Sequence, residues 1–149
     1  MEIEKKYLIK ELPDLSTCKC IPIEQGYLSV SPVVRIRKKA DQFILTYKGA
    51  GLLAREEIEA SLTEEAYNHL LTKIDGNPIT KKRYLIPYNQ YTIELDIFEG
   101  HMAGLIMAEV EFPTLEEAEN FTPPAWFATE VTEDRRYHNS NMIFGNPLT

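Results

Sequence analysis

The chain has 149 residues, of which 44% are hydrophobic and 26% are charged, and its formal charge is -7. This composition is typical of a globular protein that is long enough to bury a core, and we expect a single domain over residues 1–149. The net acidity argues against a nucleic-acid-binding protein, which would usually present a basic face, although local basic residues can still bind a small anion.

The two cysteines and the apolar segments indicate the cellular setting. Cys18 and Cys20 are separated by one residue, too close to favour a disulfide, and no further cysteine completes a zinc site. No apolar stretch has the length of a membrane span, and the N-terminus lacks a signal-peptide pattern. We therefore expect a reduced, cytoplasmic protein that binds no membrane and exists as a monomer or homodimer.

Eight short segments of alternating polar and apolar residues dominate the sequence. This period of two predicts β-strands. In chain order, the predicted strands are residues 2–9, 24–30, 32–41, 42–49, 54–61, 79–88, 91–100 and 104–112. Their spacing predicts an antiparallel meander or a closed barrel, in which the third and fourth strands form a hairpin.

Three further segments carry the start signals of helices. Residues 62–74 have Thr63 as N-cap, and Thr114 caps a second segment in which Glu117 completes a capping box. Thr132 is the predicted N-cap of a third helix near the C-terminus. The sequence therefore predicts an α+β protein, mainly β, with helices packed outside the sheet or at one end.

The polar faces of the predicted strands carry charged residues, mostly in pairs of one sign. The acidic positions are Glu2, Glu4, Glu57, Glu59, Glu94, Asp96, Glu109 and Glu111, and the basic positions are Lys6, Arg35, Arg37, Lys48, Lys81 and Arg83. Any single pair indicates ordinary solvated surface, because half-exposed antiparallel sheets alternate in this way. Uncharged polar residues are scarce at these positions, however, and the set as a whole favours a barrel with its charged faces inside.

A charged barrel interior would require water and a highly charged ligand, because unpaired buried charge is very costly. The carboxylates offer the hard oxygen ligands that suit Mg²⁺ or Mn²⁺, and the arginine and lysine side chains suit phosphate oxygens. A metal ion together with phosphate is the combination that uses both sets. An outer surface carrying weak salt bridges remains the alternative at this point.

The charged segments also form an ordered series of motifs. EIEKK at the N-terminus is followed by QGYLS, VRIRKK, LTYKG, EIE, KKRYLIPY, IELDIFEG, AEVEF and EVTEDRRYHNSN. This series resembles the CYTH superfamily, or triphosphate tunnel metalloenzymes, whose signature is E-x-E-x-K, and it is most similar to the small bacterial inorganic triphosphatases. The resemblance covers essentially the whole chain and implies an eight-stranded antiparallel β-barrel that forms a tunnel with a charged interior.

The resemblance also implies metal ligands and phosphate contacts. Glu2 and Glu4 would hold one divalent ion with a carboxylate of the last strand, Glu111 by preference and Glu109 next, and Asp96 would serve a second ion. The basic residues would bind the phosphate chain, namely Lys6, Arg35, Arg37, Lys48, Lys81 and Arg83. Further tunnel acids would be Glu57, Glu59 and Glu94.

The resemblance also implies catalytic or structural roles for residues outside these two sets. Tyr27 matches a tunnel tyrosine, and either Lys81 or a carboxylate would take the proton of the attacking water. Arg135 and Tyr137 would close one tunnel mouth or simply pack against it. The three histidines lack the spacing of metal ligands, and we expect surface or packing roles for His69, His101 and His138.

The reaction implied by the resemblance is the hydrolysis of inorganic triphosphate to pyrophosphate and phosphate with one or two Mg²⁺ or Mn²⁺ ions, with nucleoside triphosphates as further substrates. Thiamine triphosphatase and class IV adenylyl cyclase, which share the fold, are alternatives. No residue set that would recognise a thiamine or adenine ring is evident, which favours the small, ring-free anion. A non-catalytic polyphosphate- or nucleotide-binding module is less favoured, because binding alone would not require so many carboxylates.

Overall fold

The computed structural model describes residues 1–148, which form ten β-strands, three short α-helices and two 3₁₀ helices. The strands are β1 (Glu2–Ile9), β2 (Lys19–Val30), β3 (Val33–Lys39), β4 (Gln42–Lys48), β5 (Ala54–Arg55), β6 (Glu57–Ser61), β7 (Asp75–Tyr88), β8 (Tyr91–Phe98), β9 (Ile106–Glu111) and β10 (Phe127–Glu130). The helices are α1 (Glu64–Leu71), α2 (Leu115–Glu119) and α3 (Asn139–Met142), and the 3₁₀ helices are Gly100–Met102 and Arg135–Tyr137. None of the helices described in residues 1–148 could cross a membrane.

The strands form one antiparallel sheet that curls into a nearly closed barrel. Their order is β10-β1-β9-β8-β7-β2-β3-β4-β6, and β5 pairs with the beginning of β1. Glu56 interrupts the predicted fifth strand, and its carbonyl accepts a hydrogen bond from the Gly49 N–H at 2.8 Å. Because β6 stays paired with β4 while β5 reaches β1, these two pieces together bridge the gap as one barrel position.

Besides the divided fifth strand, three strands differ from the sequence prediction. β2 begins at Lys19 and β7 at Asp75, earlier than predicted, and β10 is an additional strand on β1. The first residues of β7 include Gly76 and Pro78, which are typical of turns. Pairing with neighbouring strands supplies the backbone hydrogen bonds in these segments, so they form strands without an alternating pattern.

The first two predicted helix starts are confirmed. The Thr63 hydroxyl accepts the Ala66 N–H at 3.1 Å, and the Thr114 hydroxyl accepts the Glu117 N–H at the same distance. The Glu117 carboxylate accepts a hydrogen bond from the Tyr91 hydroxyl at 2.8 Å. This side chain therefore ties α2 to β8, a role that the capping-box pattern did not predict.

The prediction of a third helix capped by Thr132 is wrong. The Thr132 hydroxyl accepts the backbone N–H of Lys6 at 3.0 Å and donates to the Glu130 carboxylate at 2.7 Å. It thereby joins the segment after β10 to the middle of β1. Asp134 instead caps the 3₁₀ helix Arg135–Tyr137, which leads into α3.

Both faces of β1 are buried, but by different surroundings. Ile3 and Tyr7 belong to an apolar cluster outside the barrel, together with side chains from α2 and β10. Glu4 and Lys6 lie on the opposite face, which is turned toward the barrel interior. The charged side chains therefore lie inside the barrel, as the sequence predicts. A second apolar cluster, with Phe98 and Met107 on the same strand faces as Asp96 and Glu109, packs inside the barrel against the C-terminal helices.

Candidate functional site

The charged strand faces line a cavity of about 170 Å³ inside the barrel. Within residues 1–148, seven acidic side chains line it, namely Glu2, Glu4, Glu57, Glu59, Glu94, Glu109 and Glu111, and so do seven basic ones, namely Lys6, Arg35, Arg37, Lys39, Lys48, Arg55 and Arg83. The alternative of a salt-bridged outer surface is therefore wrong for these residues. Lys81 and Asp96 lie behind this lining rather than in it.

The two signs of charge are concentrated on different walls. The acidic wall on β1 and β9 consists of Glu2, Glu4, Glu109 and Glu111, and the basic wall on β3 consists of Arg35, Arg37 and Lys39. If β5 and β6 are counted as one strand, the barrel has eight strand positions. β9 and β3 are four positions apart in either direction around it. The two walls therefore face each other across the cavity.

The acidic wall is crowded with carboxylates. Glu4 lies directly opposite Glu111 in the β1–β9 ladder, and Lys6 lies opposite Glu109. The Lys6 ammonium is 3.8 Å from a Glu4 oxygen and 3.9 Å from a Glu109 oxygen. Burial and the charge of Glu109 nevertheless raise the pKa of Glu4 to about 7, and burial together with Glu2 raises the pKa of Glu111. Lys6 therefore does not by itself balance the negative charge around Glu4.

Glu2 and Glu57 form a second acidic pair at the edge of this wall. The Lys48 ammonium is 2.9 Å from Glu2 and 3.5 Å from Glu57, and Arg55 Nε is 3.5 Å from Glu2. Although burial opposes it, hydrogen bonding with Glu57 and the charge of Lys48 lower the pKa of Glu2 to about 2. Burial and the hydrogen bond to Glu2 raise the pKa of Glu57 to about 7. Near neutral pH, Glu57 is the member of this pair that can exchange a proton.

The basic wall has no comparable counter-charge. Arg35 is 6% exposed, donates to the Thr46 hydroxyl at 3.3 Å and leaves its Nε without a hydrogen-bond partner. Arg37 donates from Nε to Gln25 at 2.9 Å. Within residues 1–148, neither guanidinium has a carboxylate within 4.0 Å. Burial and the charges of Arg35 and Arg83 lower the pKa of Arg37 to about 9, so this wall can accept an anion.

Asp96 is held by two buried cations. Lys81 Nζ is 2.6 Å from Asp96 Oδ2, and Arg83 donates from Nε and Nη2 to the two Asp96 oxygens at 2.8 and 2.9 Å. Burial lowers the pKa of Lys81 to about 8, while Arg83 and Lys81 hold the pKa of Asp96 below its usual value despite burial. Arg83 also donates to Glu94 at 3.0 Å. The predicted metal role of Asp96 and the phosphate and base roles of Lys81 remain predictions.

Several residues that line the cavity or hold its lining arginines were not singled out from the sequence. Gln25 lies two residues before Tyr27 on β2, and Lys39 lies two residues after Arg37 on β3. The two-residue period of a strand, continued from Tyr27 and Arg37, would therefore have identified both. The others that reasoning from sequence missed are Thr46, Arg55, Asn139 and Ser140. Asn139 and Ser140 come from α3, outside the sheet, so strand periodicity gave no signal for them.

The C-terminal residues separate into packing and lining roles. Tyr137 is buried in an apolar cluster, which matches its packing alternative, while Arg135 is exposed at one end of the barrel. His138 lines the cavity and binds the Thr132 carbonyl through Nε2 at 2.9 Å, so placing it at the surface would be wrong. Tyr27 also lines the cavity, 3.5 Å from Gln25 Nε2, as expected for a tunnel tyrosine.

Comparison with known proteins places the whole arrangement in one family. The CYTH domain matches residues 1–141. An inorganic triphosphatase from Nitrosomonas europaea is 36% identical over 151 residues, which cover 98% of this chain and 99% of that protein. An inorganic triphosphatase from Acetivibrio thermocellus is 35% identical over 146 residues, covering 95% and 92%. The crystal structure of the inorganic triphosphatase NE1496 has a TM-score of 0.73 and 32% identity, covering 99% of this chain and 97% of that one. This chain belongs to the CYTH domain family.

Proposed function

We propose that this protein hydrolyses inorganic triphosphate to pyrophosphate and phosphate inside the barrel, with Mg²⁺ or Mn²⁺ bound at the acidic wall. The observation that carries the proposal is the pair of buried guanidinium groups, Arg35 and Arg37, without a carboxylate partner in residues 1–148. Two relatives that match nearly the full length of the chain are inorganic triphosphatases, which supports the same substrate.

The basic wall suits an extended chain of phosphates. Arg35, Arg37 and Lys39 occupy alternate positions of β3 and thus share one face, with neighbours about 7 Å apart. A guanidinium can bind two phosphate oxygens at once, and a lysine acts as a mobile point charge. Such a row would hold the anion in an extended form along the strand, which leaves the terminal phosphorus open to attack by water in line with the leaving group.

The acidic wall fits a divalent metal ion in its donor chemistry. Carboxylate oxygens are the preferred ligands of Mg²⁺ and Mn²⁺. Burial and the charge of Glu109 raise the pKa of Glu4 despite the neighbouring Lys6, and a divalent cation would relieve both effects. Within residues 1–148, no three acidic, histidine or cysteine side chains are already arranged around one point, so Lys6 and Lys48 would have to move away from Glu4 and Glu2. A bound ion would polarise the phosphate oxygens and balance their developing charge. Glu2, Glu4, Glu109 and Glu111 are the residues that would hold it.

The attacking water must lose a proton, and the structure favours a carboxylate over Lys81 as its acceptor. Lys81 lies behind the cavity lining and is engaged by Asp96. Glu57 lines the cavity, and its pKa of about 7 is suited to proton transfer near neutral pH. Displaced from Glu2, Lys48 would be free to contact a phosphate oxygen.

The lining of the cavity favours a substrate without a ring. Among the described residues, Val33 and Tyr27 are its least polar members, and the remainder is charged or hydrogen-bonding. The rings of thiamine triphosphate and of nucleoside triphosphates would therefore lie outside the cavity, with only their phosphate chains inside. We expect such compounds to be slower substrates than inorganic triphosphate.

A substrate panel tests the proposal. The protein is incubated with tripolyphosphate, ATP and thiamine triphosphate, each with Mg²⁺, with Mn²⁺ or with EDTA, and released phosphate and pyrophosphate are measured. We expect metal-dependent release, fastest from tripolyphosphate, with equal amounts of the two products. Absence of metal-dependent release from all three compounds would overturn the proposal. Tight binding of tripolyphosphate without turnover would instead favour a binding module.

A further inference from the structure

A second cavity adjoins the barrel cavity at each end and shares lining residues with it. One, of about 570 Å³, lies between the β2–β3 turn, the β4–β5 loop and the C-terminal helices, and it shares Lys48, Arg55 and His138 with the central cavity. We call it the basic mouth. The other, of about 520 Å³, shares Lys39, Glu94 and Glu111 with the central cavity and is called the acidic mouth.

The basic mouth carries cations and no lining carboxylate. Among the residues that the structure describes, its charged side chains are Lys48, Arg55 and Arg135. Lys48 and Arg55 lie next to Glu2 at the inner end, whereas Arg135 is exposed and has no carboxylate within 4.0 Å in residues 1–148. The neighbouring Arg136 differs, because it forms an ion pair with Asp134 at 2.6 Å.

The acidic mouth has the opposite charge. In the described part of the chain, Glu94, Glu111 and Glu117 line it, with Lys39 as the basic member. Its other walls include apolar and aromatic side chains such as Phe112. Three carboxylates outnumber the one lysine, which is the outermost residue of the basic wall, so an anion that approaches this end meets net negative charge.

We propose that triphosphate enters and leaves the barrel through the basic mouth, and that Arg135 guides it there without contacting it at the reaction site. The inference rests on the proposed function, because it takes triphosphate as the ligand. Charges of one sign around a narrow opening raise the local concentration of an oppositely charged ligand and its association rate, and charges of the same sign lower both. The difference between the two mouths thus gives the tunnel one direction of access for anions.

Matched tryptophan substitutions at the two mouths test the route. Ala50 in the β4–β5 loop and Gln90 in the β7–β8 turn are both exposed, and each lines one mouth. The exchange of tripolyphosphate with the protein is followed by ³¹P NMR line shapes without metal. We expect Ala50→Trp to lower the association and dissociation rates together, by about tenfold, with an unchanged dissociation constant. Gln90→Trp should leave both rates as in the wild type.

A second pair of variants tests the guiding residue. Arg135→Gln and Arg136→Gln each remove one positive charge at adjacent exposed positions. We expect Arg135→Gln to lower the association rate about threefold at low salt, and the difference should vanish at high salt because surface charge is screened. Arg135→Lys should restore the rate, and Arg136→Gln should change it little.

The outcomes separate this inference from the proposed function. Slower exchange in Gln90→Trp but not in Ala50→Trp, or equal effects of both, would overturn the route. Equal effects of Arg135→Gln and Arg136→Gln would overturn the role of Arg135. Wild-type protein that binds tripolyphosphate but does not hydrolyse it would refute the proposed function and leave the route supported or refuted by the exchange rates alone. Failure to bind tripolyphosphate would refute both.

Discussion

The two walls of the cavity solve the problem of buried charge in opposite ways. On the acidic wall, Lys6 and Lys48 approach the carboxylates and partly neutralise them. On the basic wall, Arg35 and Arg37 are held by neutral groups, Thr46 and Gln25, which fix their orientation and leave their charge uncompensated. The basic wall is therefore ready for its ligand, whereas the acidic wall must exchange its own ammonium groups for one.

The largest effect is expected from Glu4→Gln, which removes a charge from the acidic wall and keeps the side-chain shape. Tripolyphosphate hydrolysis should fall about 1,000-fold, because the substitution would remove roughly 4 kcal/mol of electrostatic stabilisation of the transition state. The melting temperature should stay the same or rise, because Glu4 is buried among like charges. Lys5→Gln, on the opposite face of β1, is the control and should retain activity. A fully active Glu4→Gln enzyme would remove Glu4 from the metal site.

Asp96→Asn tests a region that resembles neither wall, because its charges are fully paired. The substitution leaves Lys81 and Arg83 buried without their carboxylate, so we expect a loss of about 3–5 kcal/mol in the free energy of unfolding. Denaturant unfolding measures it. Glu94→Gln removes a more exposed carboxylate from Arg83 and should cost less. Normal stability combined with a higher requirement for metal would indicate that Asp96 is a metal ligand instead.

Arg37→Met should separate binding from stability on the basic wall. We expect the KM for tripolyphosphate to rise about 30-fold, corresponding to a charge-assisted hydrogen bond of roughly 2 kcal/mol. The ligand-free protein should melt at the same or a higher temperature, since an unpaired buried cation has been replaced by an apolar chain. Lys38→Met, at an exposed position on the opposite face of β3, should change neither quantity. A large drop in stability of Arg37→Met would mean that the guanidinium has a counter-charge.

The smallest effect is expected from Thr132→Val, which touches neither wall directly. It removes the hydroxyl that joins the Lys6 backbone to Glu130, and we expect a loss of about 1–2 kcal/mol in the free energy of unfolding. Thr132→Ser should recover most of this loss. Equal destabilisation by both variants would indicate that the methyl group, rather than the hydroxyl, is the part that matters.

The alternation of residues predicted the barrel interior because the side-chain period of a strand decides which face each residue occupies. Arg35, Arg37 and Glu4 follow directly from it. The same rule could not tell that Lys81, on the same face as Arg83, is sealed behind the lining, because depth along the barrel depends on which residues close its ends.

Residues from outside the sheet were beyond the reach of the same pattern. His138 reaches the cavity from the segment between the 3₁₀ helix and α3, and its position depends on a tertiary hydrogen bond to the Thr132 carbonyl. The sequence around Thr132 has the pattern of a helix N-cap. In the structure, however, the Thr132 hydroxyl accepts the Lys6 N–H of β1, and no helix starts at this residue. At this position, tertiary pairing with β1 outweighs the local propensity of threonine to cap a helix.

The two-residue strand β5 couples the stability of the fold to the occupancy of the site. The beginning of β1 is joined to β5 by the pairing of Glu2 with Arg55 and of Ile3 with Ala54 and by the ion pair between the Arg55 and Glu2 side chains at 3.5 Å. The Glu4 N–H also donates to the Leu53 carbonyl at 3.1 Å. So short a ladder unfolds locally at low cost, and backbone amides there should exchange hydrogen faster than those of β9. A ligand that bridges Glu2 or Glu4 to β3 would bind only the form in which β1 and β5 are paired. By mass action, such a ligand would protect the N-terminus from local unfolding.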